Sequence, residues 1–155
     1  MLYLDSSAIV KRYFKEKGSN AVITRAAKPN QETFTSVLSF AEVQSTIARK
    51  HREKQITSQE FTRLRETFES DWTILFTAID CDLETMGRLP QLVELYPLKA
   101  GDAIQLSTAI WLNEGIQSDV SPRAKEVLEF GVADRALAAI ADKCGLRVFN
   151  PEDEN

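Results

Sequence analysis

The chain has 155 residues, 43% of them hydrophobic and 27% charged, with a formal net charge of −4 at pH 7, which describes a soluble globular domain with room for a core. The negative balance argues against a protein that grips nucleic acid through a broad positive face, but it does not exclude a nuclease, because acids clustered to hold cations can outweigh a local basic rim. No run of about 18 apolar residues offers a membrane span and no basic-then-apolar leader precedes the first strand, so the expected location is the cytoplasm.

Leu2, Tyr3 and Leu4 form a short apolar run that predicts a strand buried on both faces, as in a parallel sheet. Asp5 and Ser6 break the run, and Ala8, Ile9, Tyr13 and Phe14 then recur at helical spacing. A strand thus ends at a carboxylate where a helix begins, the edge at which open α/β sheets bind ligands. As an N-cap alone, Asp5 contributes ~1 kcal/mol. A second helix is predicted over Gly18–Ala27, closed by Lys28, Pro29 and Asn30, and a second strand over Thr33–Ser36. Val37–Lys54 is helical, with Ser36, Phe40, Val43 and Ile47 along the core stripe. Thr57 or Ser58 starts a further helix through Phe61, Leu64 and Phe68, making a helical hairpin.

Trp72–Thr77 predicts a third strand, suited to a sheet edge. Asp80–Leu95 is expected as two short helices because Gly87 and Pro90 interrupt it. A loop over Pro97–Gly101, a helix over Asp102–Asn113 and a loop over Gly115–Arg123 come next. The fourth strand is Val127–Val132, the last helix Asp134–Lys143 with Gly145 as its terminator, and the last strand Leu146–Phe149. Strands alternating with helices imply a three-layer α/β/α sandwich with a mainly parallel central sheet. One domain is expected over residues 1–150, with an acidic tail, 151–155, in which Glu152, Asp153 and Glu154 are expected to be disordered. Cys81 and Cys144 have no metal-type spacing and are expected to be reduced and structural.

Asp5, Asp102 and Asp134 each stand directly before a predicted helix, and Asp5 and Asp134 also come just after a strand. Each is a competent helix cap, since helix N-termini favour negative charge. As a set they can meet at one sheet edge, where like charges repel unless a cation lies between them. Hard divalent ions such as Mg²⁺ or Mn²⁺ prefer oxygen ligands, and phosphodiester hydrolysis uses them to activate water and neutralise the phosphate. Glu42 lies inside a helix, on a face shared with Leu38, Ser39, Ser45, Thr46 and Arg49. A surface glutamate there is ordinary; a small polar face around one acid also suits a helix lining a cleft, with Arg49 two turns along to meet a phosphate.

The segments Leu4-Asp5-Ser6-Ser7-Ala8, Ser36 through Ala41-Glu42-Val43, Asp102-Ala103-Ile104-Gln105-Leu106 and Ala133-Asp134-Arg135-Ala136-Leu137 resemble the PIN domain, and more narrowly the VapC-type toxins of toxin–antitoxin pairs. The likeness spans nearly the whole chain, including the closing Gly145, Asn150 and Pro151. It implies a Rossmann-like α/β/α sandwich and an acidic pocket of Asp5, Glu42, Asp102 and Asp134. Asp5 and Asp102 are the foremost metal ligands it implies, and Glu42 and Asp134 the next. It further implies Mg²⁺- or Mn²⁺-dependent endoribonuclease activity, inhibition by a small cognate antitoxin, and a homodimer. Ser7, Ser36 and Arg49 are the candidate contacts to RNA. The family often carries Ser or Thr two residues before the fourth acid, where this chain has Val132. The polar segment Gln117–Lys125 is longer than the family's usual link, and Asp119 within it is an outside candidate for the site.

His51, the only histidine, has no partner serine in a hydrolase motif and stands in a basic run that suits a solvated face or an RNA-facing rim. A phosphoaspartyl enzyme would want a second acid two residues after Asp5, where Ser7 stands. The remaining alternative to a nuclease is a PIN-fold binding module with a silent site.

Overall fold

The structure, a computed structural model, describes residues 1–118 and 127–154. Five strands, β1 (Leu2–Leu4), β2 (Thr33–Ser36), β3 (Thr77–Ile79), β4 (Glu129–Gly131) and β5 (Arg147–Phe149), form one sheet in the order β3-β2-β1-β4-β5. Every pairing is parallel, with Tyr3 opposite Phe34 on one side and Phe130 on the other. Parallel neighbours need crossovers, so helices cover both faces. Helices α1 (Ser6–Val10), α2 (Ser19–Ala26), α3 (Leu38–Arg52) and α4 (Ser58–Leu75) pack on the face reached by Leu2 and Leu4. Helices α5 (Leu89–Leu95), α6 (Ala100–Ser118) and α7 (Arg135–Lys143) pack on the face reached by Tyr3. The alternation of Leu2, Tyr3 and Leu4 thus feeds two cores from one buried central strand. The α/β/α sandwich is the expected fold class.

Four predicted elements need correction; the first is Asp80–Leu95, where the single helix α5 follows a run of turns and Pro90 stands in its first turn rather than interrupting it. The run Trp72–Leu75 is the end of α4 rather than a strand, and the third strand begins later, at Thr77. A short apolar run fits either element, and tertiary packing decides: Phe68 and Trp72, one helical turn apart, both pack against the Phe40 ring. The strand does take the sheet edge. The expected loop from Gly115 is helical through Ser118, because Ile116 is buried in the core and holds the final turn. The same helix starts at Ala100, so Asp102 lies within its first turn rather than before it. Asp119 lies outside the described residues.

The acidic tail is ordered, against expectation. Pro151–Asp153 form a 3-10 turn with Pro151 buried. Lys11, only 5% exposed, donates through Nζ to Glu152 Oε1 at 2.7 Å, to Glu16 Oε1 at 3.3 Å and to the Lys17 carbonyl at 3.0 Å. Arg135 donates to Asp153, and Arg25 to Glu154. These charged partners offset the entropy of fixing the tail, which composition alone does not reveal. Lys11→Met should therefore lower unfolding stability by about 2 kcal/mol, the loss of charge-assisted bonds from a buried ammonium. Urea titration reads this directly, and an unchanged midpoint would show the tail bonds to be energetically silent.

Candidate functional site

In an all-parallel sheet every strand points the same way, so the residues just past the strand ends gather at a single edge. Asp5 comes directly after β1, Ala133 and Asp134 shortly after β4, and Cys81 two residues after β3. Glu42 lies one turn into α3, which leaves the end of β2, and Asp102 lies in the first turn of α6.

Asp5 is 4% exposed and caps α1, accepting the Ser7 backbone N–H at 2.8 Å. Burial raises its carboxyl to about 6; hydrogen bonds from Ser7 act downward, and the charges of Glu42 and Asp102 push it further up. Asp102 is likewise raised, first by burial and then by Asp134, with Lys99 opposing and Glu42 adding to the rise. Asp5, Glu42 and Asp102 therefore share one electrostatic environment, and Asp134 enters it through Asp102. Asp134 itself is exposed and caps α7, accepting the Ala136 and Leu137 N–H groups at 2.8 and 2.9 Å. Ser7 joins the two strand ends, since its Oγ accepts the Ala133 N–H at 3.0 Å. Val132, in the position that often carries a hydroxyl, is fully buried in the core.

Glu42 is half-buried and accepts a hydrogen bond from Gln105 Nε2 at 3.0 Å. Its other oxygen occupies space that a side chain on Gly101 would need: a Cβ there would lie 2.6 Å from Glu42 Oε1. Glycine at the second position of α6 thus leaves a cradle for the carboxylate beside Asp102.

Oxygen donors alone, from Asp5, Glu42, Asp102 and Asp134, suit a hard divalent cation and not a thiophilic one. The carboxyls of Asp5 and Asp102 are raised first by burial, with neighbouring acids adding to the rise. The donor set fits Mg²⁺ or Mn²⁺ in chemistry. Among the described residues, however, no three acidic, histidine or cysteine side chains converge tightly enough to enclose one ion.

The remaining candidates are spread more widely. Ser7 lies within the site. Ser36 is fully buried, with its Oγ 3.1 Å from Cys81 Sγ and accepting the Leu38 N–H at 3.2 Å, so its hydroxyl faces protein rather than an open cleft. Arg49 is exposed on α3, ~10 Å along the helix axis from Glu42. A groove of about 240 Å³, lined by Leu4, Ile9, Arg12, Ile74, Leu75 and Phe76 among others, contains none of the acids.

Sequence reasoning left three neighbours of the acids without a role. Gly101 ended a predicted loop, Lys99 lay inside that loop, and Gln105 was one residue of a motif. The available signal was Gln105 itself, a polar side chain between Ile104 and Leu106 and one turn beyond Asp102.

No protein-family model matches the sequence, and no curated protein is significantly similar to it. Solved structures do share its fold. A chain of FitAcB from Neisseria gonorrhoeae superposes with a TM-score of 0.67 at 17% identity, covering 97% of this chain and 98% of that one. A chain of a toxin–antitoxin complex from Klebsiella pneumoniae gives 0.62 at 17% identity, with the same 97% and 98% coverage. A chain of VapBC2 from Rickettsia felis, a complex bound to a DNA fragment from its promoter, gives 0.60 at 17% identity, again covering 97% and 98%. The PIN-like α/β fold expected from the motifs is the fold that this chain shares with these solved chains.

Proposed function

We propose that the chain is the toxin of a VapBC-type toxin–antitoxin pair and acts as a Mg²⁺- or Mn²⁺-dependent endoribonuclease. The observation that carries this reading is that Asp5, Glu42 and Asp102, from three separate elements at the carboxyl edge of the sheet, lie near enough for Glu42 and Asp102 to raise Asp5 and for Glu42 to raise Asp102. A divalent ion bound there supplies an activated water and neutralises charge on the phosphate and leaving oxygen. Asp5 and Asp102 supply negative charge from backbone positions that helix starts hold rigid. Glu42 adds a third carboxylate from α3, and Asp134 a fourth from the rim. Ser7 orients Asp5 and ties it to the strand end that carries Asp134.

Cleavage of a mixed RNA substrate should proceed with Mg²⁺ or Mn²⁺, stop in EDTA and return when the metal is restored. Undiminished cleavage in chelator would overturn the metal reading. A silent binding module is favoured by one observation, the apolar and fully buried Val132. Absence of cleavage under all metal conditions would support it.

The antitoxin belongs to the same proposal. A basic side chain from its tail, set among the carboxylates, would replace the charge of the metal and relieve their repulsion. RNA and antitoxin then compete for the acids, while Arg49 lies beyond them. Arg49→Ala should weaken RNA binding and reduce its salt slope by ~0.7, the value for one lost phosphate contact on a single strand. Antitoxin affinity should change less. Binding titrations across a salt series measure both, and an unchanged RNA slope assigns Arg49 to the solvated face.

A further inference from the structure

We infer that Gln105 is the positioning residue of this site, holding one oxygen of Glu42 so that the other is presented beside Asp102. The inference rests on the nuclease reading above and adds to it a residue with no charge and no exposure. Gln105 is 0% exposed in α6, where an unbonded amide would be costly. Both ends of its amide are engaged: Tyr3 Oη donates to Oε1 at 2.9 Å, and Nε2 donates to Ser39 Oγ at 2.8 Å and Glu42 Oε2 at 3.0 Å.

The orientation of that amide is dictated by its partners. An ionised carboxylate only accepts, so the NH₂ end must face Glu42, and the carbonyl end is left for the Tyr3 hydroxyl. Ser39 Oγ also lies 2.7 Å from Thr35 Oγ1, which lies 2.7 Å from the Leu4 carbonyl. With one proton per hydroxyl, Ser39 donates to Thr35 and Thr35 donates to Leu4. The network therefore runs from the residue before Asp5, through β2 and α3, to Gln105 and Glu42. Glu42 Oε2 is held, while Oε1 stands over the Gly101 cradle, next in sequence to Asp102. Outer partners of ligating carboxylates act in this way, and losing one typically weakens metal affinity about 10–100-fold.

A merely structural role would predict lost stability with the ion site intact, so the test separates the two. Gln105→Met keeps the length and removes both donors; Ser39→Ala breaks the same buried network but leaves the Gln105–Glu42 bond. Calorimetric titration with Mn²⁺ should give binding about 10–100-fold weaker for Gln105→Met and near that of the wild type for Ser39→Ala, with both variants melting lower. Equal Mn²⁺ affinity in the wild type and Gln105→Met overturns the inference and leaves the nuclease reading standing. A wild type that neither binds Mn²⁺ nor cleaves RNA removes both. Should Gln105→Met fail to fold, the wild-type Gln105 side-chain amide resonances provide the answer: added Mg²⁺ should shift them, and unmoved resonances at saturating Mg²⁺ would overturn the inference.

Discussion

Asp5→Asn should reduce RNA cleavage by about a thousandfold or more, while the metal-free protein becomes at least as stable at pH 7 as the wild type. The first effect corresponds to ~4 kcal/mol of charge stabilisation lost with a metal ligand. The second comes from the sign of the pKa change. Asp5 titrates at about 6 in the folded protein, above its usual 3.8, so the folded state holds its proton more tightly than the unfolded state does. Metal-free stability therefore falls as pH rises from about 4 through 6, by on the order of 3 kcal/mol if the whole shift is expressed. Asparagine removes that ionisation and still accepts the Ser7 N–H as a cap. Asp102→Asn should cost similar activity, because Asp102 shares the same charge environment. Thermal melts at pH 5 and pH 7, beside a cleavage assay, check the pair of effects. Activity and stability falling together in Asp5→Asn would mean that Asp5 is a helix cap and nothing more.

Gly101→Ala should also separate activity from stability, by a different physical route. Alanine in a helix is favoured over glycine by about 1 kcal/mol. The only severe contact of the new methyl is with Glu42 Oε1 at 2.6 Å, the mobile end of a flexible side chain. The fold can yield there at small cost, but the carboxylate must move away from Asp102. We expect unchanged or higher thermal stability, with Mn²⁺ affinity and RNA cleavage each lowered about 10–100-fold, the scale of a displaced ligand orientation. Wild-type cleavage by Gly101→Ala would show that Glu42 has no role at the reacting centre.

The parts of this architecture written in local sequence were legible. Asp5 and Asp134 each end an apolar run and begin a periodic one, so both could be set at helix starts on one edge before any packing was known. A mainly parallel sheet was implied by the alternating elements, and every pairing proves parallel. Legibility failed where distant residues decide. Phe68 and Trp72 keep α4 helical to Leu75 because Phe40 is there to receive them, and no window around Trp72 contains Phe40. The tail is ordered by Lys11, far away in the chain. Gln105 meets Tyr3 and Glu42 across separations of 102 and 63 residues, beyond the reach of any periodicity. Glu42, mid-helix, has only the small polar face around it as a local signal, and the family resemblance is what implies its place in the pocket.

The pairing of β1 with β4 also sets a schedule. Leu2 lies opposite Glu129, so the central strand lacks one neighbour until synthesis has passed Glu129. Asp134 comes later still. At translation speeds of about 5–20 residues per second, a nascent chain spends several seconds holding Asp5 and Glu42 but lacking Asp134. If the proposed ribonuclease reading holds, the chain is thereby without its full complement of acids while still joined to the messenger that encodes it.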